Sequence, residues 1–545
     1  MASLQSPEFL TSCFLIVVVT ILIKQLLLAP RKRAASPSLP RPRGLPLIGN
    51  LHQLGTLPHR SLAALAARHA APLMLLRLGS VPTLVVSSAD AARTLFQAND
   101  RALSGRPAMY AATRLSYGLQ SISFAPHGAF WRAARRACLS ELLGAPRVRG
   151  FREAREREAA ALMAAVTGES AAGSPVNLTD MVAAASSKIV RRVAFGDDGS
   201  IDHRAALGET QMLLGAFWVA DYLPSLRWLD ALRGLRRRLE RCFHQLDALY
   251  ERVINDHLNK RKTSDEEDLV DVLLRLHGDP AHRSTLSSRS QIKGILTDMF
   301  IAGTDTLAAT VQWAMTELVR NPGVLAKAQH EVRRVVGDKD MVREADLPGL
   351  HYLKLVIKET LRLHPAAPLL VPRETTESCT LHGHEIPAKT RVLINASAIH
   401  TDRGAWGPDA ERFVPERHDA ATAASSVAER VDAGDDDNLV RPYSWHDGFA
   451  LLPFGVGRRS CPGVPFATAV VELLLANLLF CFDWRAPPGG EVDVEEETGL
   501  TVHKKNPLVL IANKRKESQG RHALPPTGAP ANRAPGAPDR ARPTP

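Results

Sequence analysis

One run near the C-terminus, Phe454-Gly-Val-Gly457-Arg-Arg459-Ser-Cys461-Pro-Gly463, narrows the possible folds more than any other stretch of this 545-residue chain. Glycines on both sides of a cysteine let the backbone bend closely beneath a flat ligand and leave N–H groups free to point at the sulfur. A sulfur aimed at a metal needs such donors to temper its charge. An aromatic at the start of the run keeps water from the sulfur side. Phe, Gly, Arg, Cys and Gly at these offsets arise by chance at a rate of about 10⁻⁴ in a chain this long, from typical residue frequencies. The competing reading is a buried structural cysteine in a glycine turn. The other cysteines, Cys13, Cys138, Cys242, Cys379 and Cys481, are scattered and form no CxxC pair. That usage suits a reducing compartment, where a lone cysteine is inert core or a metal ligand.

Three further constellations carry chemistry. The apolar run Ser290–Arg320 reads as one long helix with Ala302-Gly303-Thr304-Asp305-Thr306 at its middle. A mid-helix glycine costs about 1 kcal/mol against alanine, so something bulky is expected to approach it. Vicinal Asp305 and Thr306 offer an acid and a hydroxyl there; a polar kink bonded to its own backbone is the alternative. Glu359 and Arg362, three apart in Leu353–Leu363, share a helix face and predict an ion pair. Trp131 and Arg135 lie one turn apart in Ala129–Leu143, and Arg373 follows Val371-Pro372.

The N-terminus predicts an anchor. Phe9 to Ala29 is almost wholly apolar, and some twenty helical residues span a bilayer core of about 30 Å. Arg31-Lys32-Arg33 follows, and clustered positive charge stays on the cytoplasmic side, so the rest of the chain is expected in the cytosol. A cleaved signal peptide fits less well, because the segment before the apolar run carries Glu8 rather than basic residues. The organisation predicted is an anchor (1–30), a basic and proline-rich hinge (31–46), a catalytic domain (47–515), and a disordered tail rich in Pro, Ala and Arg (516–545). Within the domain, helices are predicted at Arg60–His69, Ala129–Leu143, Val148–Val166, Leu207–Ala220, Leu232–Leu258 and Leu325–Val336 besides those above. Strands at Leu73–Leu78, Thr83–Ser87 and Val392–Ala396 form a minority. The net charge of +11 comes with no nucleic-acid motif, which favours lipid and protein partners over nucleic acid.

Taken together, these motifs resemble the cytochrome P-450 superfamily, specifically the plant microsomal A-type group, from about Leu39 to Asn513. The resemblance implies a mainly α fold with a small β region, a single haem domain behind an N-terminal transmembrane helix, and residence at the endoplasmic reticulum membrane. It implies haem b as cofactor, with Cys461 as metal ligand and Trp131, Arg135, Arg373, Phe454, Arg459 and Gly463 around the haem. Asp305 and Thr306 become the proton-delivering pair, and Glu359, Arg362 and Arg417 (in Phe413-Val-Pro-Glu-Arg417) a buried structural network. The activity implied is insertion of one atom of O2 into a small lipophilic substrate. Electrons would come from NADPH through a separate NADPH-cytochrome P-450 reductase, since no GxGxxG follows a strand. Phe217, Ile301, Ala302, Leu370 and Leu500 are the candidate pocket residues. The stretches Leu361–Glu374 and Glu497–Leu510 are similar to enzymes of oxime and nitrile metabolism in grasses; indoles, terpenoids and phenolics stay open. The chain departs from the pattern at the hinge, at His418 (usually Phe), at Leu307 (often Thr or Ser), and in a long acidic stretch from His418 to Phe449. A non-oxygenating haem-thiolate isomerase or dehydratase, or a haem sensor, is the alternative; neither has use for the acid–threonine pair.

Overall fold

The computed structural model describes residues 39–515, apart from 197–203, 260–266, 281–285, 382 and 420–448. The expected anchor, the first part of the hinge, most of the acidic stretch and the tail lie outside the described residues. The fold is mainly helical, as the periodicity predicts. Five helices position the site: α1 (Ala129–Ala137), α2 (Leu178–Phe195), α3 (Arg289–Arg320), α4 (His351–Leu363) and α5 (Val464–Cys481). The strands that matter are β1 (Leu73–Leu78), β2 (Val81–Val86), β3 (Arg373–Glu374), β4 (Arg391–Ile394), β5 (Glu496–Glu497) and β6 (His503–Lys504).

The largest core forms where α3 packs along α2 and crosses α5. α3 begins with a capping box, the Ser288 and Gln291 side chains bonding each other's backbone. α2 and α5 were not anticipated from periodicity, and α5 shows why. It is apolar on every side and nearly all buried, so it has no polar face to mark a helical repeat. Among the described helices it alone is long and apolar enough to cross a membrane, yet 72% of its apolar window is buried. It is core.

A second core lies under a four-stranded sheet of order β1-β2-β4-β3. β1 and β2 form a hairpin, Leu78 opposite Val81. β4 joins β2 in parallel, Leu84 opposite Val392, and β3 closes the edge antiparallel to β4. β5 and β6 pair antiparallel in a separate hairpin.

Some boundaries differ from expectation for local reasons. The expected helix Ala129–Leu143 ends at Ala137 and continues as a wider π-type turn, Cys138–Leu142. Val148–Val166 breaks into Ala145–Gly150 and Arg152–Glu169. Leu207–Ala220 stops at Gly215, where an added Cβ would lie 2.5 Å from the Leu500 backbone nitrogen; the hairpin loop presses on the helix end. The hinge expected over 31–46 gives way to packed chain at Leu39. Leu39 and Pro42 are buried, Pro40 O accepts the Leu75 N–H (3.1 Å), and Asn50 Nδ2 donates to Pro42 O (3.1 Å). Proline lacks a donor but keeps its carbonyl, so a proline-rich segment can still dock on a strand edge.

Candidate active site

Gly455 and Gly457, with φ of 73° and 64°, turn the Cys461 loop so that the sulfur faces a cavity of about 300 Å³. A side chain at Gly457 would run into Asp100, with a Cβ only 2.1 Å from Oδ1. The loop is closed by the Cys461 N–H donating to Phe454 O (2.8 Å). Burial by the surrounding protein pushes the Cys461 thiol up, while the Gly463 N–H and the charge of Arg135 pull it back down. Phe454 and Gly463 line the same space, and α5 starts directly after Gly463. Ala302, Gly303, Thr306 and Leu307 of α3 also line the cavity. Gly303 lines this space, and an added Cβ would make only ordinary contact with Val190 of α2, at 3.4 Å.

Four arginines line the cavity as well: Arg106, Arg135, Arg373 and Arg459. Carbonyls, more than carboxylates, hold three of them. Arg459 donates to Ser104 O (2.8 Å), Ile122 O (3.2 Å) and Ala125 O (2.6 Å). Arg106 donates to Ser123 O, Val371 O and Pro372 O. Arg373 bonds Val456 O, while its Nη1 makes no hydrogen bond and stands 3.9 Å from Asp100 Oδ1. Burial lowers Arg459 to about 9 and Arg373 to about 10, and mutual repulsion with Arg135 adds to both. Burial and the same neighbours also bring Arg106 down. Asp298, two turns before Thr306, is the one carboxylate among the described residues of the cavity wall. Burial raises it to about 6 against the donors of Ser123 and Ile122. So much buried positive charge with so little to balance it calls for a bound anion.

The Cytochrome P450 family model matches residues 39–511. The chain is a cytochrome P450. It is 46% identical over 521 residues to Cytochrome P450 71A9 of Glycine max, covering 93% of this chain and 99% of that one. It is 45% identical over 486 residues to a protein of Strychnos nux-vomica named strychnine-11-hydroxylase, covering 87% and 91%. It belongs to the plant A-type group and is a monooxygenase. A solved zebra fish cytochrome P450 with progesterone aligns at a TM-score of 0.69 and 23% identity over 85% of this chain and 100% of that one, a likeness of fold.

This cytochrome P450 carries haem with a cysteine thiolate ligand. The residues present fit that group. Cys461 is the one cysteine among the described residues of the cavity wall, and the arginine cluster suits the two carboxylates of a haem edge. Arg106 was not singled out from sequence, because nothing in its surroundings distinguishes it from a loop arginine. Trp131 sits differently from expectation. Its Nε1–H donates to Ile122 O (3.1 Å) and it lies outside the cavity wall, with the Arg459 guanidinium 4.1 Å from its ring centroid. It supports Arg459 as a stacked platform.

Asp305 and Thr306 diverge in space. Thr306 Oγ1 faces the cavity and donates to Ala302 O (2.5 Å), the self-bonded arrangement its position allowed. Asp305 turns to β6, where His503 Nε2–H donates to its Oδ2 (2.8 Å). Of the expected pocket residues, Ala302 and Leu370 line the cavity. Ile301, Phe217 and Leu500 do not. Ile301 is buried in the core, its carbonyl bonded by Gln211. Phe217 is 46% exposed and stacks on Tyr222, because the helix expected to carry it ends at Gly215. Leu500 packs against the main core from the hairpin loop.

Behind the site, Glu359 is fully buried and accepts from Arg362 through both oxygens (2.7 and 2.8 Å), from Arg417 Nε (2.9 Å) and from the Val414 N–H (2.9 Å). The departure at His418 is absorbed: its Nε2–H donates to Glu359 Oε2 (2.8 Å). His400 also belongs here. Its Nδ1–H donates to Arg362 O and its Nε2 accepts the Leu452 N–H, which ties the network to the approach of the Cys461 loop.

Proposed function

We propose that this cytochrome P450 inserts one oxygen atom from O2 into a small lipophilic plant metabolite of specialised metabolism, with electrons from NADPH supplied by a separate reductase. The observation that supports this most is the meeting of Cys461 and Thr306 across one largely apolar cavity. Bound haem supplies dioxygen activation and oxygen-atom transfer, favoured by electron donation from the thiolate. The chain supplies the rest. Cys461 holds the metal, Arg106, Arg135, Arg373 and Arg459 neutralise the haem carboxylates, and Phe454 shields the sulfur side. Thr306 presents its hydroxyl to the cavity and Asp305, next along α3, is the acid behind it. Leu307, Leu370 and Val371 offer apolar wall to the substrate and exclude water.

The test is a substrate screen with reductase and NADPH, run on wild type and Thr306→Ala. Thr306→Ala is expected to consume NADPH still, while product per NADPH falls by about tenfold or more and peroxide rises in its place. Unchanged coupling would remove Thr306 from proton delivery. A rearrangement of hydroperoxides without NADPH would favour the non-oxygenating alternative.

Reductase docking belongs to the cysteine side. Arg101, Arg132 and Arg458 cluster around His127 there, and burial together with these charges lowers that histidine. Arg101, Arg132 and Arg458 are exposed, although Arg458 also pairs with Asp100 (2.8 Å). An acidic reductase face fits this patch. Arg132→Glu is expected to raise the reductase concentration needed for half-maximal turnover several-fold and to leave peroxide-driven turnover unchanged.

The described domain offers its own lipid contact beside the expected anchor. Leu45 (49%), Phe217 (46%), Trp228 (53%) and Leu232 (75%) are exposed large apolar residues. Their segments meet at the β1–β2 turn, where the Gly79 N–H donates to Ile48 O and the Ser80 N–H to Tyr222 O. Arg227, Arg233 and Arg236 lie alongside in sequence, suiting an anionic lipid surface. Protein lacking the residues before Arg31 is expected to keep its haem and bind vesicles containing anionic lipid weakly. Adding Trp228→Glu and Leu232→Glu should release it from them.

A further inference from the structure

We infer that His503 is a positioning residue for oxygen chemistry: it holds Asp305 turned away from the cavity and connects that carboxylate to solvent. The inference rests on the reading of Asp305 and Thr306 as the proton-delivering pair. Consecutive residues of a helix point about 100° apart, so Asp305 and Thr306 cannot face one site equally. Thr306 lines the cavity, whereas Asp305 lies off the cavity wall and is bonded by His503 at 2.8 Å. The side chains of His503 and Asp305 are 34% and 23% exposed, so neither is sealed from water at the middle of α3. Histidine suits such a place because its two ring nitrogens let it serve as a proton shuttle, a role lysine and arginine do not fill.

His503 is not a loosely tethered surface side chain. The Val502 N–H beside it donates to Ala366 O (2.9 Å), and Trp313 Nε1–H of α3 donates to Val502 O (3.4 Å). Lys504 is buried and pairs with Asp493 (2.5 Å). On the facing strand β5, Glu496 is clamped by His59 (3.0 Å) and Arg60 (2.7 Å). The hairpin is thus fixed from both sides, and the histidine is presented to α3 in one orientation. The carboxylate has two placements open to it: kept on His503 it stays off the cavity wall, and released it can swing toward Thr306.

The test uses the full-length, haem-loaded protein with reductase, comparing wild type, His503→Gln, His503→Ala and Asp305→Asn. Two quantities are read. One is the rate of NADPH consumption without added substrate and its solvent deuterium isotope effect, normalised to the rate of haem reduction under carbon monoxide. The other, independent of turnover, is the carbon-monoxide stretching frequency of the reduced complex, which responds to polar groups entering the cavity. His503→Gln keeps a donor that cannot titrate. It is expected to slow NADPH consumption by about tenfold and to raise the isotope effect. His503→Ala frees the carboxylate and is expected to shift the stretch as well. If Asp305→Asn changes the isotope effect while both His503 variants match wild type in isotope effect and stretch, His503 is only a tie between hairpin and helix and the inference is overturned. If Asp305→Asn itself leaves both readouts untouched, the acid reading fails and the inference falls with it.

Discussion

Cys461→Ala is expected to abolish the long-wavelength Soret band of the reduced, carbon-monoxide-bound protein completely, the largest spectroscopic effect available in this chain. Burial holds the free Cys461 thiol above its ordinary value, so Cys461 would lose its proton on binding the metal. The Gly463 N–H already favours the charged sulfur, and Gly455 and Gly457 hold the loop in a shape that other residues adopt at a penalty. Alanine preserves that loop and removes only the ligand atom. Haem can still be drawn in by the arginine cluster, but its band should move to the shorter wavelength of a site without thiolate. NADPH-driven oxygenation should vanish with it. A long-wavelength band persisting in Cys461→Ala would mean that another sulfur binds the metal. Cys138, three positions from Arg135, is fully buried in the core, where burial holds its thiol protonated.

Much of this site was legible in sequence because its parts are local. The Cys461 loop is one contiguous run whose glycines declare its turns. Glu359 and Arg362 are one helical turn apart, and Thr306 sits beside a mid-helix glycine that had to face something. What was hidden depends on contacts between distant segments. Arg106 reaches Val371 and Pro372, 265 and 266 positions away, and only the closed fold turns it into part of an anion site. His503 meets Asp305 across 198 positions. Trp131 was placed at the haem by the family resemblance, and its spacing to Arg135 says nothing of its indole N–H, which Ile122 O accepts. Phe217 failed because the close approach of the Gly499–Leu500 backbone ends a helix that periodicity alone would continue. The helix α5 was missed for the opposite reason: uniform burial leaves no pattern to read.

The second large effect is expected at Arg362. Its guanidinium is fully buried and donates to both oxygens of Glu359, to His400 O (2.7 Å), to Ala410 O (2.6 Å) and to Arg412 O (3.1 Å). Arg362→Ala leaves a buried carboxylate short of its main partner and takes the guanidinium donor from the His400 and Ala410 carbonyls, while Arg412 O keeps Arg417 (3.3 Å). Breaking a buried pair in this way costs about 3–5 kcal/mol, a large part of the roughly 5–15 kcal/mol that holds a domain folded. The variant should therefore accumulate poorly and lose haem on mild warming. His418→Phe removes one donor of several and should cost about 1 kcal/mol, leaving spectrum and activity near wild type. The same network sets the acid response. Burial alone would raise Glu359, but the bonds from Arg362 and His418 outweigh it and bring the carboxyl to about 2. Its stabilisation, about 3 kcal/mol at one pKa unit per 1.36 kcal/mol, is present above the ordinary carboxylate value and is lost as pH falls toward 2. Burial takes His400 down to about 3, so it stays neutral in the fold while the unfolded chain takes up a proton below about 6.5. Its contribution is therefore lost first, as pH falls from that value toward 3. Unfolding midpoints followed by circular dichroism should drop from about pH 6.5 downward in wild type. In His400→Gln the decline above pH 5 should flatten, while the steeper decline below it, which belongs to Glu359, remains. An unchanged upper limb in His400→Gln would assign that early loss to other histidines.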